Sequence, residues 1–311
     1  MTSAKPLPQV LSFGEALTDL IRSGPQSWTS LCGGAPWNVA AALAALGLPS
    51  AFGGAISSCV FGQALWQASA AAGLDLRFLQ QQPPERPPLL AVVHELSPPQ
   101  YFFIGEGAAD LFFAPAALPK GWREAARWAH FGGISLVREP LAQRLLTLAG
   151  ELKEQGVRIS YDPNFRLLMD SRYDGTLERM SRLADVIKVS DEDLCGLFRC
   201  SSPDVGLAQL QAWNPQALLM LTRGAEGAEL FHSEGSCRLR PPALKVVDTV
   251  GAGDASMAGL LYSLISAPEA EPARHLRWAV AAASAACEQA GACRPTIAQI
   301  EAMLERLKAS P

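Results

Sequence analysis

With 311 residues, 49% of them hydrophobic and 18% charged, the chain can bury a substantial core as one large α/β domain or two small ones, and it is not disordered. A net charge of −4 leaves no electrostatic footprint for nucleic acid or an anionic membrane. Seven cysteines without a CxxC pair read as reduced small side chains of a cytoplasmic protein. Four scattered histidines show no metal-ligand spacing, and neither a signal peptide nor a membrane span is expected.

Gln9–Phe13 predicts a strand ending at Gly14, and Glu15–Ile21 alternates as a second one. Asp19 then sits just past the first strand's end, where ligands gather in parallel α/β sheets. The Gly-rich run Leu31–Asn38 enters a helix over Val39–Leu46, with Asn38 as a cap and Gly47 as its stop. Ser50–Ile56 predicts a strand and Phe61–Gly73 a helix. After a break at Pro83–Pro88, the strands Leu89–Glu95 and Tyr101–Ile104, joined by a turn at Ser97–Gln100, suit an exposed excursion from the main sheet.

From Trp122 onward, strands (Trp128–Phe131, Val157–Tyr161, Ala184–Val189, Ala217–Leu221) alternate with helices (Glu139–Gln155, Leu177–Leu183). Two further helices fill Trp278–Lys308 around Gly291–Pro295. Such alternation predicts a parallel sheet with helices on both faces. Ser190, followed by Asp191, Glu192 and Asp193, reads as a helix cap with an acidic first turn.

The chain is organised around Leu244–Leu264. A short strand at Val246-Val247 leads through Asp248-Thr249-Val250 to Gly251-Ala252-Gly253, and then to an apolar helix opening at Asp254. Glycines let the backbone approach a phosphate, and the amides of a first helical turn point at it. A carboxylate at that mouth repels a bound phosphate, but it suits a hydroxyl that must lose its proton beside the phosphate it attacks. The competing readings are a capping turn and a dinucleotide fingerprint. Ser256 stands where the fingerprint's third glycine belongs.

This stretch resembles the ribokinase/PfkB carbohydrate kinases, whose signature is close to DT-x-GAGD. Gly33-Gly34-Ala35-Pro36-Trp37-Asn38-Val39-Ala40 is similar to the GGAPANVA of fructokinases, with Trp37 as a departure able to stack on a sugar or narrow its pocket. Lys188-Val189-Ser190-Asp191, His130–Leu136 and Asp162-Pro163-Asn164-Phe165-Arg166 also look fructokinase-like. Thr222, Gly224 and Gly227 match the T-x-G-x-x-G nucleotide loop. Ser190 and Asp193 stand in for the Asn and Glu of N-x-x-E, and Ser57-Ser58-Cys59 replaces acids that the family usually carries.

The resemblance implies one ribokinase-like domain over residues 1–311, with a doubly wound, mostly parallel sheet and a small β lid from about 18–32 and 89–106. It implies ATP along Lys188, Ser190, Thr222, Gly224 and Gly227, with phosphates at an anion hole of Gly251, Ala252 and Gly253. A sugar would lie against Asp19, Gly33, Gly34, Asn38 and Arg166, with Asp254 as base. Mg²⁺ is expected near Asp193, and K⁺ near Asp248 and Val250 is left open, as is a homodimer.

Fructose is the implied substrate and 2-keto-3-deoxygluconate the alternative. Kinases of that acid place an arginine after the aromatic lid strand, where this chain has Ile104-Gly105-Glu106. A non-catalytic sugar- or nucleotide-binding relative is a third reading. A Rossmann oxidoreductase lacks its fingerprint and acid here.

Overall fold

The computed structural model describes residues 6–96 and 99–309, so the expected turn at Ser97-Pro98 lies outside the described residues. In chain order the first half contains β1 (Val10–Phe13), β2 (Leu17–Arg22), β3 (Trp28–Gly33), α1 (Ala35–Ala45), β4 (Ser50–Ser57), α2 (Val60–Ala71), β5 (Leu79–Gln82), β6 (Leu90–Leu96), β7 (Pro99–Ile104) and α3 (Trp122–Ala125). The second half contains β8 (Trp128–Gly132), α4 (Leu141–Glu154), β9 (Arg158–Asp162), α5 (Asp174–Leu183), β10 (Val186–Ser190), α6 (Asp191–Phe198), α7 (Pro203–Trp213), β11 (Leu218–Thr222), β12 (Ala228–His232), β13 (Gly235–Leu239), α8 (Ala252–Ser266), α9 (Pro272–Cys287) and α10 (Ile297–Ala309).

Nine strands form the main sheet in the order β13-β12-β11-β10-β9-β8-β1-β4-β5, and β3-β2-β6-β7 form a separate small sheet. Strands β1, β4 and β8 are buried along their whole length, as continuous apolar runs in a doubly covered parallel sheet should be. One face packs on α1, α8, α9 and α10, and the other on α4, α5, α6 and α7. From β1 the chain goes one way through β4 and β5 and the other way through β8 to β11. The carboxyl ends of β1 and β8 therefore flank a topological switch point, where α/β sheets open a crevice.

Several boundaries differ from the sequence reading. Val246-Val247 is no strand; both side chains are exposed, and the amides of Val247 and Asp248 donate to the Cys287 carbonyl. The sheet is extended at that end instead by the antiparallel hairpin β12–β13, which was missed, as were β3, β5 and α7. α8 opens at Ala252 with Gly251 as N-cap, two residues before Asp254, and α1 opens at Ala35 with Gly34 as N-cap. Asn38 therefore lies inside its helix, and its amide N–H runs to the Gly34 carbonyl. Proline at the second position of α1 needs no intrahelical acceptor, which lets that helix begin early.

Candidate active site

A cavity of about 250 Å³ opens at the switch point. Its floor comes from the ends of β1, β8 and β9, and one wall is the first turn of α8. Its roof is the small sheet, whose period-2 alternation aims Leu17, Asp19, Ala91, Val93, Tyr101 and Phe103 at it. Of the residues singled out by sequence, Asp19, Gly34, Asn38, Arg166, Lys188, Val250, Gly251, Gly253 and Asp254 line it.

Asp254 is the third residue of α8 and is buried. Asn38 Nδ2 donates to its Oδ2 at 2.8 Å, across 216 residues of chain. Burial pushes the Asp254 pKa up to about 6, against the pull of Asn38 and Lys188. That leaves the carboxylate largely charged at neutral pH yet basic enough to take a proton. Gly251 sits at φ 77° to begin the helix, and the Ala252 amide donates to the Thr249 carbonyl at 3.2 Å. The Gly253 and Asp254 amides, with no intrahelical acceptor, are left to meet an anion.

On the small-sheet side, burial raises the Asp19 pKa to about 6, opposed by Arg166. Arg166 lies 5.8 Å from the Tyr101 ring centroid and is fixed by bonds to Asn164 Oδ1 (2.6 Å) and the Phe165 carbonyl (2.7 Å). Gly33 lies outside the cavity lining but packs against the Asp19 carboxylate. At Gly34, φ is 111° and a Cβ would stand 2.5 Å from the Glu15 carbonyl, so only glycine closes the small sheet onto α1 there.

Trp37 neither stacks toward nor narrows the cavity. It is fully buried and donates from Nε1 to Ser69 Oγ at 2.9 Å, because the step of about 100° from Asn38 turns it off the cavity face and into the core. Glu106 is exposed and outside the cavity as well.

The residues matched to a nucleotide loop lie beyond this cavity. Ser190 and Asp193 form a reciprocal capping box on α6, with Asp193 N donating to Ser190 Oγ at 2.9 Å and Ser190 N to Asp193 Oδ2 at 2.8 Å. Asp193 Oδ1 accepts from Phe165 N at 2.8 Å, tying the Asn164–Arg166 loop to β10. Thr222 is paired with Ser190 across β10 and β11, and Gly224 and Gly227 follow in the turn before β12. Asp248 accepts from Val250 N at 3.0 Å and from Gly291 N at 2.8 Å, joining the loop before α8 to the loop after α9.

Glu15 was missed as a cavity residue, though an acid between a buried strand and the next apolar run is a visible signal. Its Oε2 accepts from Ser135 N (3.1 Å) and Oγ (2.5 Å), and burial raises its pKa from 4.5 to about 7 despite those bonds. The folded protein thus keeps this proton up to about pH 7, while the unfolded chain releases it near 4.5. The stability so gained is fully present below about 4.5 and is lost as pH rises through about 7. Glu15→Gln, which keeps the oxygen acceptor without the charge, is expected to match the parent's melting temperature in acid and exceed it above neutrality. Parallel melting curves across that range would refute the assignment.

The family described as pfkB family carbohydrate kinase matches residues 7–299. The fructokinase of Vibrio alginolyticus is 33% identical over 277 residues, spanning 87% of this chain and 86% of that protein. The fructokinase of Xylella fastidiosa with bound ATP superposes with a TM-score of 0.88 at 25% identity, covering 98% of this chain and 100% of that one. The fructokinase of Vibrio cholerae O395 bound to fructose, ADP and a calcium ion gives 0.84 at 31% identity, covering 96% and 99%. A double mutant of it holds fructose, ADP and a potassium ion, with a TM-score of 0.83, 31% identity and coverage of 96% and 100%.

Proposed function

The chain belongs to the pfkB family of carbohydrate kinases and is an ATP-dependent sugar kinase, and from that premise we propose that it phosphorylates fructose, with Asp254 as the base. The observation that carries the reading is a buried carboxylate, held by Asn38, at the amide end of α8 and facing a cavity sized for a small sugar. Asp254 accepts the proton of the attacking hydroxyl, and the Gly253 and Asp254 amides draw the charge that grows on the transferring phosphoryl group. Asp19, Asn38 and Arg166 orient the sugar. The small sheet acts as the lid that keeps water from competing for the phosphoryl group. ATP lies on the β10–β11 side, along Ser190, Thr222, Gly224 and Gly227.

Among the described residues no group of three or more His, Cys, Asp or Glu could cage a metal. Mg²⁺ would be held through ATP oxygens and its own waters, with Asp193, which already accepts from Phe165 N and Ser190 N, as the carboxylate on that side; the ion would supply charge neutralisation on the phosphates. For K⁺, an oxygen-rich non-helical loop clamped by Asp248 to Gly291 fits a monovalent cation beside Asp248 and Val250. Among the described residues no helix is long and apolar enough to cross a membrane.

Against 2-keto-3-deoxygluconate stand the carboxyls of Asp19 and Asp254 in the cavity, rather than Glu106. The Arg166 guanidinium already serves Asn164 and Phe165. ATP turnover over a panel of ketoses, aldoses, nucleosides and sugar acids, in potassium and in sodium buffers, tests this reading. Fructose is expected to exceed the sugar acid in kcat/KM by at least about tenfold, with higher turnover in potassium. A reversed order would overturn fructose and leave the kinase standing. Turnover of none would favour a non-catalytic relative.

A further inference from the structure

Beside Asp254 lies a buried ion pair, of which the resemblance had assigned only Lys188, to the nucleotide. Lys188 Nζ, on β10, is 2.8 Å from Asp162 Oδ2 at the end of β9, and both side chains are almost completely buried. The ammonium lines the sugar cavity under the first turn of α8, where a Cβ on Gly253 would stand 3.0 Å from Nζ. Gly253 is helical with no positive φ, so what the second glycine of GAGD supplies here is room beside the ammonium rather than backbone freedom.

As a structural element the pair is poorly made. Asp162 Oδ1 is buried without a hydrogen-bond partner, and a buried pair with an unsatisfied acceptor stabilises less than apolar side chains of similar size. Burial works to lower the Lys188 pKa, but the carboxylates of Asp162, Asp193 and Asp254 outweigh it, so the lysine stays charged. The adjacent His130 stays neutral, its pKa lowered to about 3 by burial and by Lys188.

We infer that Lys188 and Asp162 form a positioning device for the reaction: the ammonium holds the Asp254 carboxylate in its charged, proton-accepting form, and Asp162 tempers that pull. The inference rests on Asp254 being the base. The groups that act on Asp254 are Asn38 from α1, Lys188 from β10, Asp162 from the end of β9 and Arg166 beyond it; Asp19 and Glu15 share its cavity. Lys188 reaches the cavity that Asp254 lines, whereas Asp162 sits behind it as the lysine's partner, and their opposite charges act on Asp254 in opposite directions.

The test is the acid limb of kcat/KM against pH, which reports the base in the free enzyme. Lys188→Met is expected to move that limb to higher pH, so that activity falls about twofold or more further near pH 6 than near pH 8, the consequence of half a pH unit or more on a base of pKa about 6. Asp162→Asn is expected to move it the other way. Should Lys188→Met fold poorly, the double variant Lys188→Met/Asp162→Leu replaces the pair with apolar side chains, keeps the melting temperature and still shifts the limb upward. Limbs unmoved, or moved in the same direction by both single variants, would overturn the inference. If Asp254→Asn itself remains active, the base assignment has failed; if that variant is dead while the limbs stay put, only this inference has.

Discussion

Asp254→Asn is expected to lower kcat for sugar phosphorylation by about 10²–10⁴-fold while ATP affinity changes little. Asparagine keeps the shape of the aspartate, and its side-chain oxygen can still accept from Asn38 Nδ2, now 2.8 Å from Asp254 Oδ2. The α8 amides stay where they are. What disappears is the only property that a capping residue does not need, a basic site set to about 6 by burial in the cavity wall. Single-turnover rates with fructose, together with nucleotide titration, separate the two roles. Near-normal turnover would reduce Asp254 to an acidic first-turn residue of α8, and a parallel loss of ATP binding would point to a collapsed loop.

The alternation of apolar runs between Trp128 and Leu221 was enough to read the parallel half of the sheet, because each buried strand there is a short uninterrupted apolar stretch. The edge elements were harder. β13 carries an alternating, mostly exposed pattern with Gly235, Ser236 and Arg238, and β5 is three glutamines after a leucine. Their strand character comes from neighbours rather than from their own side chains. Val246-Val247 shows the converse, a β-branched pair that joins no strand, its backbone bonding instead to the end of α9 through the Cys287 carbonyl.

Within the cavity, residues on recognisable motifs were legible, and those brought together by topology were not. Nothing local ties Asp162 to Lys188, since the strands that carry them are joined only through α5, and the pair exists because β9 and β10 are neighbours. Trp37 illustrates helical phase. Its neighbour Asn38 reaches the cavity while the tryptophan turns into the core, and the difference appears only once α1 is seen to start at Ala35.

Gly251→Ala is expected to cost kcat about 10²–10³-fold, the range for losing one donor at a preorganised anion site, with a smaller change in the KM for sugar. Two effects combine. Gly251 sits at φ 77°, where an L side chain costs about 1–2 kcal/mol. Its new Cβ would also meet the Ala292 backbone, 2.8 Å from Cα, and neither that loop nor α8 can give way cheaply. The two loops are joined a few residues away by Asp248 and Gly291, so displacing one moves the other and turns the α8 amides off the phosphate. Gly47→Ala separates strain from clash: it has φ 81°, with no atom within 4 Å of a Cβ and no place in the cavity lining. That control should lose comparable thermal stability and retain full turnover. Equal kinetic losses in both variants would mean that backbone strain, and not the aim of the helix at the phosphoryl group, governs the rate.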